Sequence, residues 1–419
     1  MTLNQDFSEI LRKGGVALLI RILGFVSGYL FIFYTVKFYG AETQGRLNLS
    51  FSFMMIGALI CRLGLDIHFV KIYSIRDNLS NARGIYYKTI PYAFFLSSIV
   101  SIVIYIFSDF ISEYMFNDLG LSIFLKWTSP CVMLFTFVLL NAAVLRGLKK
   151  NSLYAFLFNG GRFFFTLLIF SILLLFTDNP TLTVIAHSFS ILILFSISFW
   201  YNFKYNFPYT RSTKYKTKNF IKQSLPMLIS TSMIVFLGWS DTIILGIYNT
   251  SSDVGIYGVV LKISVVTSFT FQALDSILAP KLSKAFHDNK MSNFKKIVKF
   301  STIINTIISI IFVIIIIFFK DFILSIFGEE FFKASKALII LCVGQLFNSI
   351  CGPVGSILQM TGRQKVFQYI LMIAFGINLI LNLFLAPKYG INGVAIATAI
   401  SLAFWNLSCV IYINRKVYT

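Results

Sequence analysis

Acidic residues are scarce in this chain of 419 residues, where 16 Asp and Glu stand against 36 Lys and Arg and give a formal net charge of +20. Charged residues of both signs make up only 12% of the chain, compared with about 25% in a soluble domain. This shortage of charge excludes an ordinary soluble enzyme. Together with 57% hydrophobic residues, it also excludes an intrinsically disordered chain.

Cysteine and histidine are also few, with five and three residues. Each cysteine lies within an apolar stretch and no CxxC pair occurs, which argues against a disulfide framework and against a zinc site. The histidines show no HExxH-like spacing, and no P-loop or other nucleotide-binding motif is present. We therefore expect no catalytic centre, no cofactor and no metal ion, and no direct use of ATP.

Long apolar runs are what the chain has in abundance, and its mean hydropathy is +0.81. Because a membrane-spanning helix needs about 20 apolar residues, the apolar fraction would fill about twelve such helices. The runs do not alternate polar and apolar residues as the strands of a porin-type barrel do. The sequence predicts an all-α integral membrane protein with about twelve transmembrane helices, at 14–36, 48–70, 88–108, 121–145, 152–176, 181–203, 221–247, 254–279, 297–319, 334–357, 366–386 and 391–414.

The distribution of charge along these spans predicts their orientation. The two termini and the alternate loops between spans contain 25 of the 36 basic residues, whereas the other loops contain nine of the 16 acids. Lys and Arg accumulate in cytoplasmic loops, so we expect both termini to be cytoplasmic. The net charge of +20 is therefore mainly a topology signal, and only four basic residues remain inside spans.

The longest basic stretch, from Lys204 to Lys222, divides the chain into two halves. We predict an N-terminal six-helix lobe at 1–203, a basic cytoplasmic linker loop at 204–222 and a C-terminal six-helix lobe at 223–419. A linker of this charge is expected to lie near anionic lipid headgroups. A nucleic-acid partner is disfavoured because the basic residues are spread over many short loops without a recognisable binding module.

A pattern of residues that occurs twice in the chain, which we call the echo, supports the two lobes. After the first span, Tyr39 leads to Glu42 and then to Gly45; after the seventh, Tyr248 leads to Asp253 and then to Gly255. Parallel six-helix repeats are one common way to build a transporter.

The same stretches carry a resemblance to a known family. They are Ser224-Leu225-Pro226, Trp239-Ser240-Asp241-Thr242-Ile243-Ile244-Leu245-Gly246, Asp253-Val254-Gly255-Ile256-Tyr257, Pro280-Lys281-Leu282-Ser283, Gly64-Leu65-Asp66, Leu145-Arg146-Gly147-Leu148 and Tyr389-Gly390-Ile391-Asn392-Gly393-Val394-Ala395-Ile396-Ala397-Thr398. The chain resembles, over nearly its whole length, the polysaccharide-transporter branch of the multidrug/oligosaccharidyl-lipid/polysaccharide (MOP) exporter superfamily, the O-antigen flippases of the Wzx type.

This resemblance implies a MATE-like fold and a function in the biosynthesis of lipopolysaccharide or a similar polysaccharide. The expected activity is translocation of an undecaprenyl-pyrophosphate-linked oligosaccharide across the bacterial inner membrane by alternating access. A polysaccharide polymerase and its chain-length machinery are the expected protein partners. Related lipid II flippases usually have fourteen spans, so the twelve predicted here favour the polysaccharide branch.

Four basic residues inside spans are the candidate substrate ligands: Arg21, Arg62, Arg162 and Lys262. Intramembrane charges usually mark a transport pathway or a partner pair, and guanidinium groups bind phosphate in a bidentate fork. Arg21 shares a helix face with Gly24 and Gly28, which suits an inward orientation. The alternatives are an Arg62–Asp66 pair at i, i+4, and snorkelling or structural pairing for the other three.

Three acids near span ends are candidates for ion coupling: Asp66, Asp241 and Asp275. Helix capping or pairing is the competing and favoured interpretation. The polar pairs Gln345/Asn348 and Asn378/Asn382 could line a cavity that admits sugars or could hydrogen-bond between helices.

Two other classes of protein compete with the flippase. A proton- or sodium-coupled multidrug exporter of the same superfamily is expected to hold acids deep in its cavity. An integral-membrane glycosyltransferase or polymerase is expected to have a large periplasmic loop, which this sequence lacks.

Overall fold

The computed structural model describes residues 3–75, 79–206, 213–268, 278, 281–288 and 290–417, and these contain helices and turns but no strand. Helices are the expected solution for an apolar chain, because a backbone in lipid must satisfy its hydrogen bonds internally. Asp275 lies outside the described residues.

The described residues of the first half form eight α-helices and two π-helical turns. The α-helices are α1 Leu3–Cys61, α2 Leu65–Tyr73, α3 Leu79–Ile106, α4 Ser108–Phe110, α5 Leu121–Gly147, α6 Asn151–Ala155, α7 Gly161–Leu173 and α8 Leu182–Asn206; the π-helical turns are Ile111–Met115 and Phe156–Gly160.

The second half continues in the same way after the linker. Its helices are α9 Thr217–Tyr248, α10 Ser251–Val265, α11 Met291–Phe318, α12 Lys320–Ser325, α13 Ser335–Cys351, α14 Val354–Met360 and α15 Gln364–Lys416, with 3₁₀ turns at Val266–Ser268 and Glu329–Ala334. Residues 281–287 are also helical.

Among the described residues, seven helices are long and apolar enough to cross a membrane, or up to nine if two bent helix pairs each count as one span. The chain is therefore a multi-pass membrane protein. The longest helices, α1 with 59 residues and α15 with 53, would reach about 80–90 Å at 1.5 Å per residue. Each is interrupted by a glycine with non-helical backbone, Gly40 (φ 75°) or Gly390 (φ 52°).

These two glycines lie between predicted spans one and two and between spans eleven and twelve. Positive φ values are accessible to glycine at little steric cost, so the chain changes direction at both positions. The total of twelve spans and the cytoplasmic orientation of the termini stay predictions.

Contacts divide the chain into two compact units. Unit 1 contains residues 1–39 and 49–235, and unit 2 contains residues 40–48 and 236–419. The division therefore falls within α9, and the segment around Gly45 belongs with the C-terminal helices. The lobe boundaries predicted from the basic stretch stay a prediction.

Unit 1 contains a buried ladder of polar side chains that no local spacing in the sequence predicts. Tyr73 donates to Asn206 Oδ1 at 2.7 Å, and Asn206 in turn donates to Asn202 Oδ1 at 3.3 Å. Asn141 Oδ1 accepts from Asn202 at 2.9 Å and from Tyr86 at 2.7 Å. The ladder connects α2, α3, α5 and α8, and buried amides and hydroxyls are stable only when they are hydrogen-bonded in this way.

Part of the predicted linker loop is ordered against unit 1. The backbone N–H of Lys214 donates to Asn81 Oδ1 at 2.8 Å. Phe220, on the first turn of α9, is buried and its ring stacks on His68 at a centroid distance of 3.8 Å. The described end of the linker is therefore packed against the helices of unit 1.

The two echoed segments pack against each other inside unit 2. A Cβ at Gly45 would lie 1.7 Å from the carbonyl oxygen of Ser251, and a Cβ at Gly255 would lie 1.9 Å from that of Ala41. The relation is reciprocal, because Ala41 and Ser251 each precede their glycine by four residues. Glycine at both positions lets the two backbones touch.

Each acid of the echo forms its interactions close to its own position in the chain. Asp253 closes a capping box with Thr250 at the beginning of α10 and forms an ion pair with Lys333 at 2.8 Å. Burial alone would raise the pKa of Asp253, but the hydrogen bonds from Lys333 and Thr250 outweigh that effect and lower the pKa below its ordinary value. Glu42 instead pairs with Arg46.

Candidate functional site

Among the described acids of unit 2, Asp241 is the most completely enclosed, with an exposed fraction of 2%. Its Oδ1 accepts hydrogen bonds from Asn378 Nδ2 at 3.1 Å and from Asn382 Nδ2 at 2.6 Å. Its Oδ2 accepts from the hydroxyl of Tyr257 at 2.8 Å and from the hydroxyl of Thr398. Four neutral donors thus surround one carboxylate, which we call the Asp241 cluster.

Three helices supply this cluster. Asp241 lies on α9 and Tyr257 on α10, whereas Asn378, Asn382 and Thr398 all lie on α15. The two asparagines share a face because they are four residues apart. Thr398 comes from beyond the break at Gly390, so the bend of α15 brings both of its parts to the same carboxylate.

The cluster also holds oxygen atoms that are not fully used. Asn378 Oδ1 accepts from Ser240 and from Asn382, both at 3.1 Å, whereas the buried Oδ1 of Asn382 has no partner among the described residues. Carboxylate, amide and hydroxyl oxygens suit hard cations. The arrangement could therefore take up a proton on Asp241 or hold a small cation among these oxygens.

The structure corrects the favoured interpretation of Asp241. It begins no helix, and no Lys, Arg or His among the described residues pairs with it. Among the described residues, Asp241 therefore has neither a helix-capping role nor an ion-pair partner. Asp241 and the Asn378/Asn382 pair are separate candidates in the sequence, and Tyr257 and Thr398 are not candidates there, although both lie in the stretches that carry the resemblance.

Asp66 forms the local pair that its spacing predicts. Arg62 Nη1 lies 2.7 Å from Asp66 Oδ2, and the side chains are 11% and 16% exposed. Arg62 Nε also donates to the carbonyl oxygen of Ala58 at 3.2 Å. The expectation of an Arg62–Asp66 pair is thus confirmed, and this carboxylate is already engaged.

Arg162 lies among aromatic rings in unit 1. Its guanidinium carbon is 4.5 Å from the ring centroid of Phe163 and 5.6 Å from that of Phe135. Nη1 approaches the sulfur of Met55 at 3.8 Å. No carboxylate among the described residues pairs with Arg162, so the rings supply its electrostatic partner.

His187 lies beside Arg162 and is fully buried. Its ring packs on Phe51 at a centroid distance of 4.1 Å. Neither ring nitrogen meets a hydrogen-bond partner in the described part of the chain. A buried imidazole without partners carries an uncompensated desolvation cost of about 1–3 kcal/mol.

We therefore expect His187→Leu to raise the stability of the purified protein, because leucine fills a similar volume without polar atoms. The expected gain is about 1 kcal/mol, since part of the desolvation cost is recovered. Thermal unfolding in detergent measures this gain. The comparison variant is Ser190→Ala, because the Ser190 hydroxyl, unlike the imidazole, has a hydrogen-bond partner: it donates to the carbonyl oxygen of Arg162 at 2.6 Å. A loss of stability in His187→Leu would show that the imidazole has a partner.

The two remaining candidate cations lie on α1 and α10. Arg21 is exposed, whereas Gly24 and Gly28 on the same face are buried. Lys262 is half-buried on α10. No hydrogen bond, ion pair or ring contact between described residues links Arg21, Arg62 and Arg162, all of which lie in unit 1. No group of three or more His, Cys, Asp or Glu residues that could hold a metal ion occurs in the described part of the chain.

Comparison with known families gives two matches. The family described as "Polysaccharide biosynthesis protein" matches residues 10–286, which is about two thirds of the chain. The family MatE matches residues 226–384.

Two curated relatives and one solved structure extend this result. The chain is 32% identical over 169 residues to the "Probable low-salt glycan biosynthesis flippase Agl15" of Haloferax volcanii, covering 40% of this chain and 36% of that protein. It is 25% identical over 257 residues to the "Capsular polysaccharide biosynthesis protein CapF" of Staphylococcus aureus, covering 60% of this chain and 65% of that one. The matched regions thus span less than two thirds of both relatives.

The solved structure described as "Lipid II flippase MurJ, inward closed conformation" has a TM-score of 0.76 at 17% sequence identity. The alignment covers 96% of this chain and 87% of that one. At this level of identity the likeness concerns the fold, and it agrees with the all-helical membrane architecture described above.

Proposed function

Because the chain belongs to the polysaccharide biosynthesis protein family, we propose that it is a flippase for a lipid-linked oligosaccharide. The proposed cargo is an undecaprenyl-pyrophosphate-linked O-antigen unit or similar polysaccharide repeat, moved from the cytoplasmic to the periplasmic leaflet of a bacterial inner membrane by alternating access. A relative named as a flippase and another named for capsular polysaccharide biosynthesis support this class of cargo. The protein acts as a transporter without catalytic chemistry, and polymerase and chain-length proteins are its proposed partners.

The observation that carries the proposal is Arg162, a cation inside a membrane helix without a carboxylate partner among the described residues. A charge in the bilayer core is costly unless it is paired or functional. An anionic pyrophosphate would neutralise this charge during transport. We propose that Arg21, Arg162 and Lys262, together with Arg62 when it is not fully engaged by Asp66, hold the phosphate end of the cargo.

The membrane potential would favour this direction of movement. Each elementary charge that crosses a potential of 100 mV changes the free energy by about 2.3 kcal/mol. With the cytoplasm negative, an anion carried outward moves downhill. Cationic side chains then lower the barrier that the anion meets in the bilayer core.

We expect the triple variant Arg21→Ala/Arg162→Ala/Lys262→Ala to translocate lipid-linked oligosaccharide at least about tenfold more slowly than the wild type in liposomes, because one lost charge-assisted hydrogen bond corresponds to about 1.5–3 kcal/mol. Accessibility of the sugar to an added lectin on the far side measures the rate. The matched control removes three exposed lysines of the linker, Lys214, Lys216 and Lys218. Unchanged transport in the first variant would contradict the assignment of these cations.

A proton- or sodium-coupled multidrug exporter is the second candidate, because the buried Asp241 cluster is the type of acid that such an exporter requires and because the MatE family matches residues 226–384. Asp241 could also couple an ion to the movement of the oligosaccharide. Asp275 remains a further candidate for ion coupling. Liposomes that contain either a lipid-linked oligosaccharide or a cationic dye distinguish the two functions, since each function moves only one of these cargoes.

A further inference from the structure

A cavity of about 320 Å³ lies within unit 1 between α2, α5 and the residues that lead into α7. Its charged lining consists of Arg62, Asp66, Lys71 and Arg146. A volume of this size is at the lower end of the range of about 300–1,000 Å³ that is usual for ligand sites. Lys71 and Arg146 belong to loops that the charge distribution predicts to be cytoplasmic, so the cavity is expected at that membrane surface.

Three cations and one carboxylate leave this cavity with an excess of two positive charges. Asp66 is already paired with Arg62, and no other acid lines the cavity. The side-chain Nζ of Lys71 and the guanidinium of Arg146 form no hydrogen bond or ion pair with another described residue. Arg62 uses Nε and Nη1, so its Nη2 remains available as a donor.

The backbone and the neighbouring side chains hold these cations in place. Helix α1 ends at Cys61 and α2 begins at Leu65, and between them Leu63 and Gly64 adopt left-handed backbone conformations, with φ of 53° and 70°. This break lies between Arg62 and Asp66. The guanidinium carbon of Arg146 lies 5.1 Å from the ring centroid of Tyr154, a cation–π contact that restrains this side chain.

The remaining lining is apolar and consists of Ile67, Val70, Leu139, Ala143 and Phe158 beside the ring of Tyr154. A small inorganic anion has no apolar part that could be buried against this surface. A molecule with a phosphate head and a hydrocarbon chain matches both parts, because basic pockets between membrane helices at the cytoplasmic side bind lipid headgroups.

We infer that this cavity binds the phosphate group of a membrane lipid, with Arg62, Lys71 and Arg146 as its ligands. Two lipids carry this chemistry, an anionic phospholipid and a polyprenyl diphosphate. Binding of the first is independent of the proposed transport function. Binding of the second rests on that function and would make the cavity an entry site for the cargo.

The test measures binding and does not depend on transport. The full-length protein in nonionic detergent is titrated with dioleoylphosphatidylglycerol or with farnesyl diphosphate, and native mass spectrometry gives each dissociation constant. The variant Lys71→Ala/Arg146→Ala should bind at least one probe about 30-fold more weakly, since each basic residue near the surface contributes about 1 kcal/mol. Arg62 is kept, because its removal would leave Asp66 without its partner.

The matched control, Lys216→Ala/Lys218→Ala, removes the same charge from exposed linker positions outside the cavity. If the cavity variant loses affinity for phosphatidylglycerol alone, the cavity is a phospholipid site. If it loses affinity for farnesyl diphosphate alone, the cavity is a cargo site, and if it loses affinity for both, the cavity is a general site for lipid phosphates. The inference is overturned if the cavity variant binds both probes like the wild type, or if the control loses affinity equally. A chain that binds these probes but moves no oligosaccharide would contradict the proposed function and leave this inference intact.

Discussion

Asp241→Ala is expected to be less stable than Asp241→Asn by about 2–4 kcal/mol, although both substitutions remove the same charge. Alanine leaves Asn378, Asn382, Tyr257 and Thr398 without their common acceptor, and each buried donor that stays unpaired costs about 1–3 kcal/mol. Some of this cost is recovered, because Asn382 already donates to Asn378 and the hydroxyls of Tyr257 and Thr398 lie 3.0 Å apart.

Asparagine at position 241 should preserve most of the cluster. Its carbonyl oxygen can accept from Asn378 and Asn382, as Asp241 Oδ1 does. Its amide group can donate to Tyr257 or Thr398, since a hydroxyl both donates and accepts. The two variants therefore separate the acceptor role of residue 241 from its charge.

Thermal unfolding in detergent measures this difference, and transport in liposomes supplies a second readout. If Asp241 carries a coupling ion, Asp241→Asn keeps its stability but no longer transports against a gradient of its cargo. Equal unfolding temperatures for the two variants would mean that the four donors do not depend on the carboxylate.

Gly255→Ala is expected to destabilise unit 2 by about 1–3 kcal/mol, the usual cost of overpacking a well-packed contact. The added Cβ would lie 1.9 Å from the carbonyl oxygen of Ala41 and 2.9 Å from the backbone nitrogen of Gly45. Both neighbours are backbone atoms, so no side-chain rotation relieves the clash. The segment 40–48 has to move away from α10.

Gly238→Ala is the matched control, because a Cβ at Gly238 meets no atom within 4 Å. Alanine at such a helical position is expected to be neutral or to stabilise by up to about 1 kcal/mol. The thermal midpoint of each variant in detergent measures both effects. A Gly255→Ala variant that melts like the control would contradict the close backbone contact.

The reciprocal contact also predicts a non-additive double variant. Gly45→Ala should destabilise unit 2 like Gly255→Ala, since its Cβ would lie 1.7 Å from the carbonyl oxygen of Ser251. Once the first substitution has separated the two segments, the second meets less resistance. The double variant should therefore lose less stability than the two single variants added together, as expected for residues in one contact.

Composition and local spacing were sufficient for the class of protein and for the shortest-range interactions. Membrane helices follow from long apolar runs, because each residue contributes its own transfer free energy and the helix bonds are local. The Arg62–Asp66 pair follows from an i, i+4 spacing within one stretch of chain. The echo of Gly45 and Gly255 is visible in the sequence, although nothing in the sequence shows that the two glycines touch.

The sequence by itself thus determined an all-helical membrane protein of the polysaccharide-transporter type, the excess of positive charge and the candidate charges within the spans. Only the tertiary structure decided which of them meet. Asp241 bonds to residues 16, 137, 141 and 157 positions away, and the lipid-phosphate cavity combines a span residue with two cations that looked like topology signals. Such contacts depend on how helices bend and cross, as at Gly64 beside the cavity and at Gly390 in the helix that supplies the Asp241 cluster. Packing between distant segments leaves no periodic pattern along the chain.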